Sequence, residues 1–282
     1  MSDWGKGVIN NIGWGQGADN DIGWGSIYDK SNAGETLLSG GGNTDAFIIE
    51  VKTDNAGTSN DNQFQFTGGQ GDYDVVAKQG GVIVETFSDL SDAATITFAS
   101  SGVYDLEITP KATNGFNRIA FDSGGDKLKM LDIKQWGTIV WSSFERAFRG
   151  SDTFVTATDV PNLSIVTNAI AMFFQTVNAD PDVRKWNVTN IENMASMFRS
   201  SGANPDTTNW NVSSVTDMRY MFEASNLSEE NLTACYENWS QLNLQQNVSF
   251  SAGTIKYNAS GQAGRDTMVN TYNWTITDGG QV

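Results

Sequence analysis

The chain has 282 residues, with 33 acidic and 17 basic side chains, a formal net charge of −16 and no histidine. That balance argues against nucleic acid or an anionic membrane surface as a partner, since both attract Lys and Arg. With no histidine and a single cysteine, Cys235, the Ser-His-Asp and Cys-His constellations, ordinary zinc sites and an internal disulfide framework are excluded.

The length allows two or three domains. No run approaches 18 uninterrupted apolar residues, so no membrane insertion is expected. The opening MSDWGKGVIN lacks the basic-then-apolar layout of a secretory signal, which predicts a protein not exported by the general route.

The first forty residues repeat at a spacing of ten. Trp4, Trp14 and Trp24 each precede a glycine, and Ile12 and Ile22 close two of the units. Glycine this dense disfavours regular structure, whereas three tryptophans are costly to leave in water. An extended tail whose aromatics are buried against another chain reconciles the two. The pattern GWGxGxxNxIGWGSIY, followed by Ser31 to Thr36, resembles the N-terminal segment of structural proteins from tailed bacteriophages. That resemblance implies an anchor, residues 1–43 including a polar glycine linker from Ser39 to Asn43, that binds other virion proteins through Trp4, Trp14 and Trp24.

From residue 44 the pattern becomes strand-like. Phe47, Ile49 and Val51 alternate, as do Phe64 and Phe66, then Tyr73 and Val75; GVIVETF, ATITFA and GVYDLEIT come next between turn-forming clusters. Short strands at this spacing predict an antiparallel β-sandwich over 44–112. The segment Ala94 to Pro110 is similar to the end of PKD-like immunoglobulin-fold domains, although VVAKQGGVIV stands where that family has Trp-Gly-Asp-Gly. Asp54, Asn55, Asp61 and Asp72 carry oxygens of the kind calcium takes. They show no ligand spacing, so solvated turns are expected, with no metal or cofactor.

Residues 113–135 are expected to form an N-terminal cap, with strands at Arg118 to Phe121 and Leu128 to Ile133 around a turn at Ser123 to Asp126. Then comes a repeat. WNVTNIENMASMF, Trp186 to Phe198, returns as WNVSSVTDMRYMF, Trp210 to Phe222. Weaker copies run from Trp136 to Phe148 and from Pro161 to Phe173, at spacings of 25, 25 and 24. A period in this range marks leucine-rich solenoids. Ile191, Met194, Met197 and Phe198 follow a three-to-four spacing that predicts a short helix, and Trp186 and Val188 alternate as in a strand. One unit cannot bury its apolar face alone, so Trp136, Phe148, Phe173, Trp186, Val188, Met194, Met197, Phe198, Trp210, Val212, Met218, Met221 and Phe222 are expected to form a stacked core. Contact with a ligand would fall to residues between them, such as 199–204 and 223–226.

After Phe222 the period stops. Ser228 is a candidate N-cap for a helix through LTACYENWSQL, with Leu232, Cys235 and Trp239 on one face; a buried structural thiol is expected at Cys235. A strand, a second helix and a closing strand complete a C-terminal cap over 226–282, after a solenoid over 113–225. The repeat and the ending NWTITDGG, within Phe116 to Gly280, look like BspA-like leucine-rich-repeat surface proteins. That resemblance implies adhesion to proteins or glycans and supplies no catalytic motif. Asn-x-Ser/Thr triplets at Asn187, Asn211, Asn231 and Asn273 arise from composition, and the adjacent acids Glu229 and Glu230 suit a helix start better than acid/base work.

The fold class expected is thus mainly β with short helices: an extended anchor, a small immunoglobulin-like sandwich and a capped leucine-rich-repeat solenoid of α/β units. The expected function is that of a virion structural protein, a fibre or appendage component, assembled in the host cytoplasm and exposed outside the cell for attachment to a host protein or glycan. A homotrimer would suit a fibre, although no heptad argues for it. A bacterial cell-surface adhesin is the alternative reading; a glycan-cleaving depolymerase would need two carboxylates about 5 to 10 Å apart in a cleft.

Overall fold

Alternating apolar residues place one face of most strands inward, and in the N-terminal half that alternation builds a sheet. The computed structural model describes residues 43–112 and 115–282; the Trp4, Trp14 and Trp24 anchor lies outside them. The first strands are β1 (Phe47–Lys52), β2 (Gln63–Gln65), β3 (Asp72–Gln79), β4 (Val82–Ser91), β5 (Thr95–Thr97), β6 (Val103–Pro110), β7 (Met130–Gln135) and β8 (Phe154–Val155). Six of them form one sheet in the order β4-β3-β6-β1-β7-β8, and β2 pairs with β5. All pairings in the large sheet are antiparallel except β7 with β8. Phe47, Ile49, Val51, Tyr73, Val75, Leu106 and Ile108 are buried in the core together with Phe64, Phe66, Ile96 and Phe98 of the small sheet. Cross-strand ion pairs join Lys78 to the buried Glu107, and Lys134 to Glu50 and Asp105 at half-exposed positions of the same strands.

The large sheet takes in β7 and β8, which belong to the stretch read as the solenoid and its entry. β1 is therefore central, flanked by β6 on one side and β7 on the other. The strand expected at Arg118 to Phe121 is only an isolated bridge at Arg118, and the next strand runs two residues later than expected, over Met130–Gln135.

The loop that carries Asp54, Asn55 and Asp61 is organised by an ammonium. Lys129 is fully buried, and its Nζ donates to Ser59 O, Ser59 Oγ, Asn60 O and Gln63 O at 2.8–3.0 Å. Buried Asp126 accepts from the backbone N–H groups of Thr58, Ser59 and Gln65 and from the Ser59 hydroxyl. Two buried charges thus fold the loop onto the segment before β7.

In the repeats the structure corrects two expectations. Residues Met194 to Phe198 form turns rather than a helix, Trp186 and Val188 lie outside any strand, and no helix occurs among the described residues before Glu229. The units are thus not α/β. The reason lies in the backbone. Arg146, Ala171, Ser196 and Tyr220 take positive φ at equivalent places, and so do Gly150, Gln175, Ser200 and Ala224 four residues on. Left-handed residues turn alternate N–H groups out of the chain, at roughly 1–2 kcal/mol each for a non-glycine residue. In a helix those groups would be used internally. Here they reach the next repeat: Phe144, Arg146, Phe148 and Gly150 donate to Asn168, Ile170, Met172 and Phe174 at 2.8–3.0 Å. The same four-bond pattern links Ala169 to Gln175 with Asn193 to Arg199, and Met194 to Ser200 with Asp217 to Glu223. A three-to-four spacing of apolar residues fits such linked turns as well as it fits a helix.

All thirteen residues expected in the repeat core are buried. Phe148, Phe173, Phe198 and Phe222 form a column of near-parallel rings, with centroids 5.4, 5.6 and 5.9 Å apart. Beside it, Trp210 Nε1 donates to Val183 O at 2.9 Å. After the fourth layer come α1 (Glu229–Trp239), β9 (Ser249–Ser251), α2 (Gln262–Tyr272) and β10 (Thr275–Thr277). Ser228 caps α1 by accepting from Asn231 N, as its sequence predicts, and Leu232, Cys235 and Trp239 are buried. Trp239 Nε1 donates to Thr207 O, one layer beyond the Val183 carbonyl. Phe250 of β9 meets Phe222 edge-on and ends the ring column. β9 pairs in parallel with β10, and Asp278 then accepts from both Tyr236 Oη and Arg265 Nε. No helix among the described residues is long and apolar enough to cross a membrane.

Two outcomes test these buried groups. Lys129→Met removes the cation while leaving its carbonyl partners and Asp126 in place, and is expected to lower the unfolding free energy by about 3–5 kcal/mol in urea titration. Burial pushes the Cys235 thiol up to about 12. Its contribution to stability is therefore complete below the unfolded value, near 8.5, and is lost as pH rises towards the folded one. At about pH 8 the folded chain is expected to resist a thiol reagent that labels it in urea, and the urea midpoint is expected to fall above about pH 9 by less in Cys235→Ala.

Candidate recognition face

The repeat places equivalent residues one above another, so a row of side chains on the surface is a row at fixed spacing in the sequence. Two such rows serve the fold. Ser151, Thr176, Ser201 and Ser225 each stand three residues after a stacked Phe, and each hydroxyl donates to that Phe carbonyl at 2.5–2.8 Å. Ser143, Asn168, Asn193 and Asp217 each accept from the backbone N–H two residues on. Both rows obey the period of the sequence, although the apolar residues alone had defined it.

A third row points outward. Arg149, Phe174, Arg199 and Glu223 come directly after the stacked Phe residues. The Arg149 guanidinium lies 5.0 Å from the Phe174 ring centroid, Arg199 lies 5.8 Å from it, and Arg199 also lies 4.7 Å from the Tyr220 centroid. Arg199 Nη2 donates to Glu223 at 2.9 Å, and Arg149 and Arg146 share Asp122 at 2.8 and 3.2 Å. Arg219 donates to Asp217 through Nε and Nη2, and this contact holds the Asp217 carboxyl below its usual range despite partial burial. The neighbouring Arg219 side chain is 63% exposed. Four of the chain's seven arginines thus share one face with Phe174 and with Tyr220, which is 47% exposed. Ion pairs this exposed contribute about 0–1 kcal/mol each, and each cation–π contact a similar amount. The face is held more by the backbone ladder under it than by its own charges.

Of the stretches expected to meet a ligand, 199–204 and 223–226, only part is free to do so. Arg199 and Glu223 are on the face. Ser201 and Ala203 are buried, the first because its hydroxyl serves the Phe198 carbonyl. Asn204 accepts from Ser228 N and Asn226 donates to Gly202 O, so both tie adjacent layers together.

On another side, a recess of about 420 Å³ is lined by Val155 to Val160, Asp180, Asp182 and Lys185. Its acids are occupied. Asp159 accepts from Trp136 N and Gly137 N, Asp180 accepts from Asn204 N, and the Arg184 guanidinium beside Asp182 holds that carboxyl down at about 2. No group of three or more Cys, Asp or Glu is placed to hold a metal among the described residues.

The sequence pattern of a family described as "Mycoplasma protein of unknown function, DUF285" matches residues 118–252, a little under half of the chain. The match starts at Arg118, whose bridge to Ser143 opens the stack, and ends just past β9, against which the fourth layer closes. No curated protein matches the chain, and no solved structure does.

Adjacent residues on this strip separate core from surface. Phe198→Ala is expected to cost about 3–5 kcal/mol of stability. Arg199→Ala is expected to cost no more than about 2 kcal/mol, since it loses only exposed ionic and cation–π contacts. Equal losses in denaturant titration would mean that the row is structural.

Proposed function

We propose that this chain is a non-enzymatic adhesive component of a bacteriophage particle. In this reading the N-terminal Trp-Gly segment seats it on other virion proteins. The layers from Arg118 onward act as a short solenoid of the BspA-like leucine-rich-repeat kind, displayed for attachment to a host-surface protein or glycan. The observation that carries the adhesive part is the face of Arg146, Arg149, Phe174, Arg199, Arg219 and Tyr220 on a rigid stack. Arginine and exposed tyrosine are the residues that recognition surfaces favour, and a scaffold already ordered loses little entropy on binding.

The occupied acids of the recess support a binder over a catalyst. Asp159, Asp180 and Asp182 are each engaged by backbone N–H groups or a guanidinium, whereas glycoside hydrolysis needs a proton-donating acid beside a second carboxylate. The virion part rests on the resemblance of residues 1–36.

Full-length protein is expected to sediment with intact particles and with host cells. Trp4→Ala/Trp14→Ala/Trp24→Ala is expected to lose the particles and keep the cells. Loss of neither, or shortened glycans after incubation with host capsule, overturns this reading.

A further inference from the structure

Resting on the adhesive reading of the stack, we infer that the row Arg149, Phe174 and Arg199, with Arg146, Arg219 and Tyr220 beside it, takes a linear polysaccharide that carries carboxylate groups.

The chain as a whole has nearly twice as many acids as bases. On this face the balance reverses: Arg146, Arg149, Arg199, Arg219 and Lys127 stand against Asp122, Glu145, Asp217 and Glu223. An anionic ligand is repelled by the rest of the surface and attracted here, so the face selects where it lands. The cations are also of the right kind. A guanidinium offers five donors in a planar fork that matches a carboxylate. Arg146, Arg149 and Arg199 each commit one terminal nitrogen to a protein carboxylate, which leaves the other terminal nitrogen for a second, the Arg149 Nε being buried. Their half-exposed partners are weakly held and exchangeable.

Spacing decides between polymer types. In the row, guanidiniums stand on the first and third layers, Phe174 on the second and Glu223 on the fourth, where Tyr220 of the neighbouring column also meets Arg199. Backbone-paired layers are about 4.8 Å apart in a sheet, and the stacked Phe rings here are 5.4 and 5.6 Å apart, so Arg149 and Arg199 repeat at roughly 10 to 11 Å. In an extended peptide, side chains return to one side about every 6.8 Å, out of step with that interval. A chain of pyranose rings, each about one layer long, brings an acid on alternate sugars back in step. Tyr220, with Arg199 over its ring and nearly half of its surface exposed, offers an apolar patch and a hydroxyl for the adjoining sugar.

The test titrates the full-length chain with hyaluronan, in which alternate sugars carry a carboxylate. Neutral dextran and poly-L-glutamate serve as controls, and the readout is tryptophan fluorescence and calorimetry at low and high salt. Hyaluronan is expected to bind, dextran not to, and poly-L-glutamate to bind at least tenfold more weakly. Arg149→Gln/Arg199→Gln is expected to weaken hyaluronan tenfold or more. Arg146→Gln/Arg219→Gln, which leaves the Phe174 sandwich intact, is expected to weaken it several-fold with an unchanged unfolding midpoint. Equal binding of poly-L-glutamate, or unaltered affinity in both variants, overturns the inference. If the chain sediments with host cells but hyaluronan neither binds nor competes, the inference falls and the adhesive reading stands. Binding to neither removes both.

Discussion

Everything from Arg118 to Ala252 depends on a backbone ladder whose turn strip, four bonds from each layer to the next, has its donors pointing one way. Within each repeat alternate N–H groups leave the chain towards the following layer, and alternate carbonyls point back to the preceding one. In a β-sheet each strand gives and receives on both sides; here the turn strip of each layer gives on one side and receives on the other, while Glu192 N, Thr216 N and Gly202 N beside it donate back to Thr167, Glu192 and Thr176 O. Register is therefore strict, because a shift by one residue would set unmatched groups against each other along the whole turn. That strictness brings Phe148, Phe173, Phe198 and Phe222 into a near-parallel column. It also brings Arg149, Phe174 and Arg199 into a row on the surface. Core and face are two readings of one periodicity.

A ladder of this type presents at each end a row of backbone groups without a protein partner, and both ends are closed by different means. At the start, Phe121, Asp122 and Ser123 donate to Ala147, Arg146 and Arg149 carbonyls, while β8, the exit of the first layer, is also the last strand of the large sheet. At the far end, Met218 and Phe222 donate into β9, and α1 covers the layers with Trp239 reaching the Thr207 carbonyl. Asp278, joined to Tyr236 and Arg265, then ties the chain terminus to both helices. The protein behaves as a sheet and a stack that share an edge strand.

How much of this was legible in the sequence depended on how local the cause was. The repeat, its buried Trp, Met and Phe positions, and α1 with its Ser228 cap are set within a few residues and were readable. The turn conformation was not, because apolar residues three and four apart suit both a helix and a chain of turns with left-handed hinges. Pairing of β1 with β7 joins residues some eighty apart and leaves no local trace. Lys129 sits in the polar segment GGDKLKML, where a lysine reads as solvated; only the carbonyls of Ser59, Asn60 and Gln63, folded over from a distant loop, make it a core residue. The arginine and aromatic row was half legible. Its members share one offset in the repeat, but their meeting becomes clear only when layers are known to stack directly.

The one-way strip also gives the stack an electrical polarity. Peptide dipoles that in a sheet would largely cancel point the same way within that strip. The carbonyl end, towards the first layer, carries the partial negative charge. There Arg146, Arg149 and Lys127 gather around the carboxylates of Asp122 and Glu145. Each inserted or deleted repeat would lengthen or shorten this polarised column by one unit without disturbing the rows on its surface. Layer number thus sets the field at the cationic end as well as the length of the face.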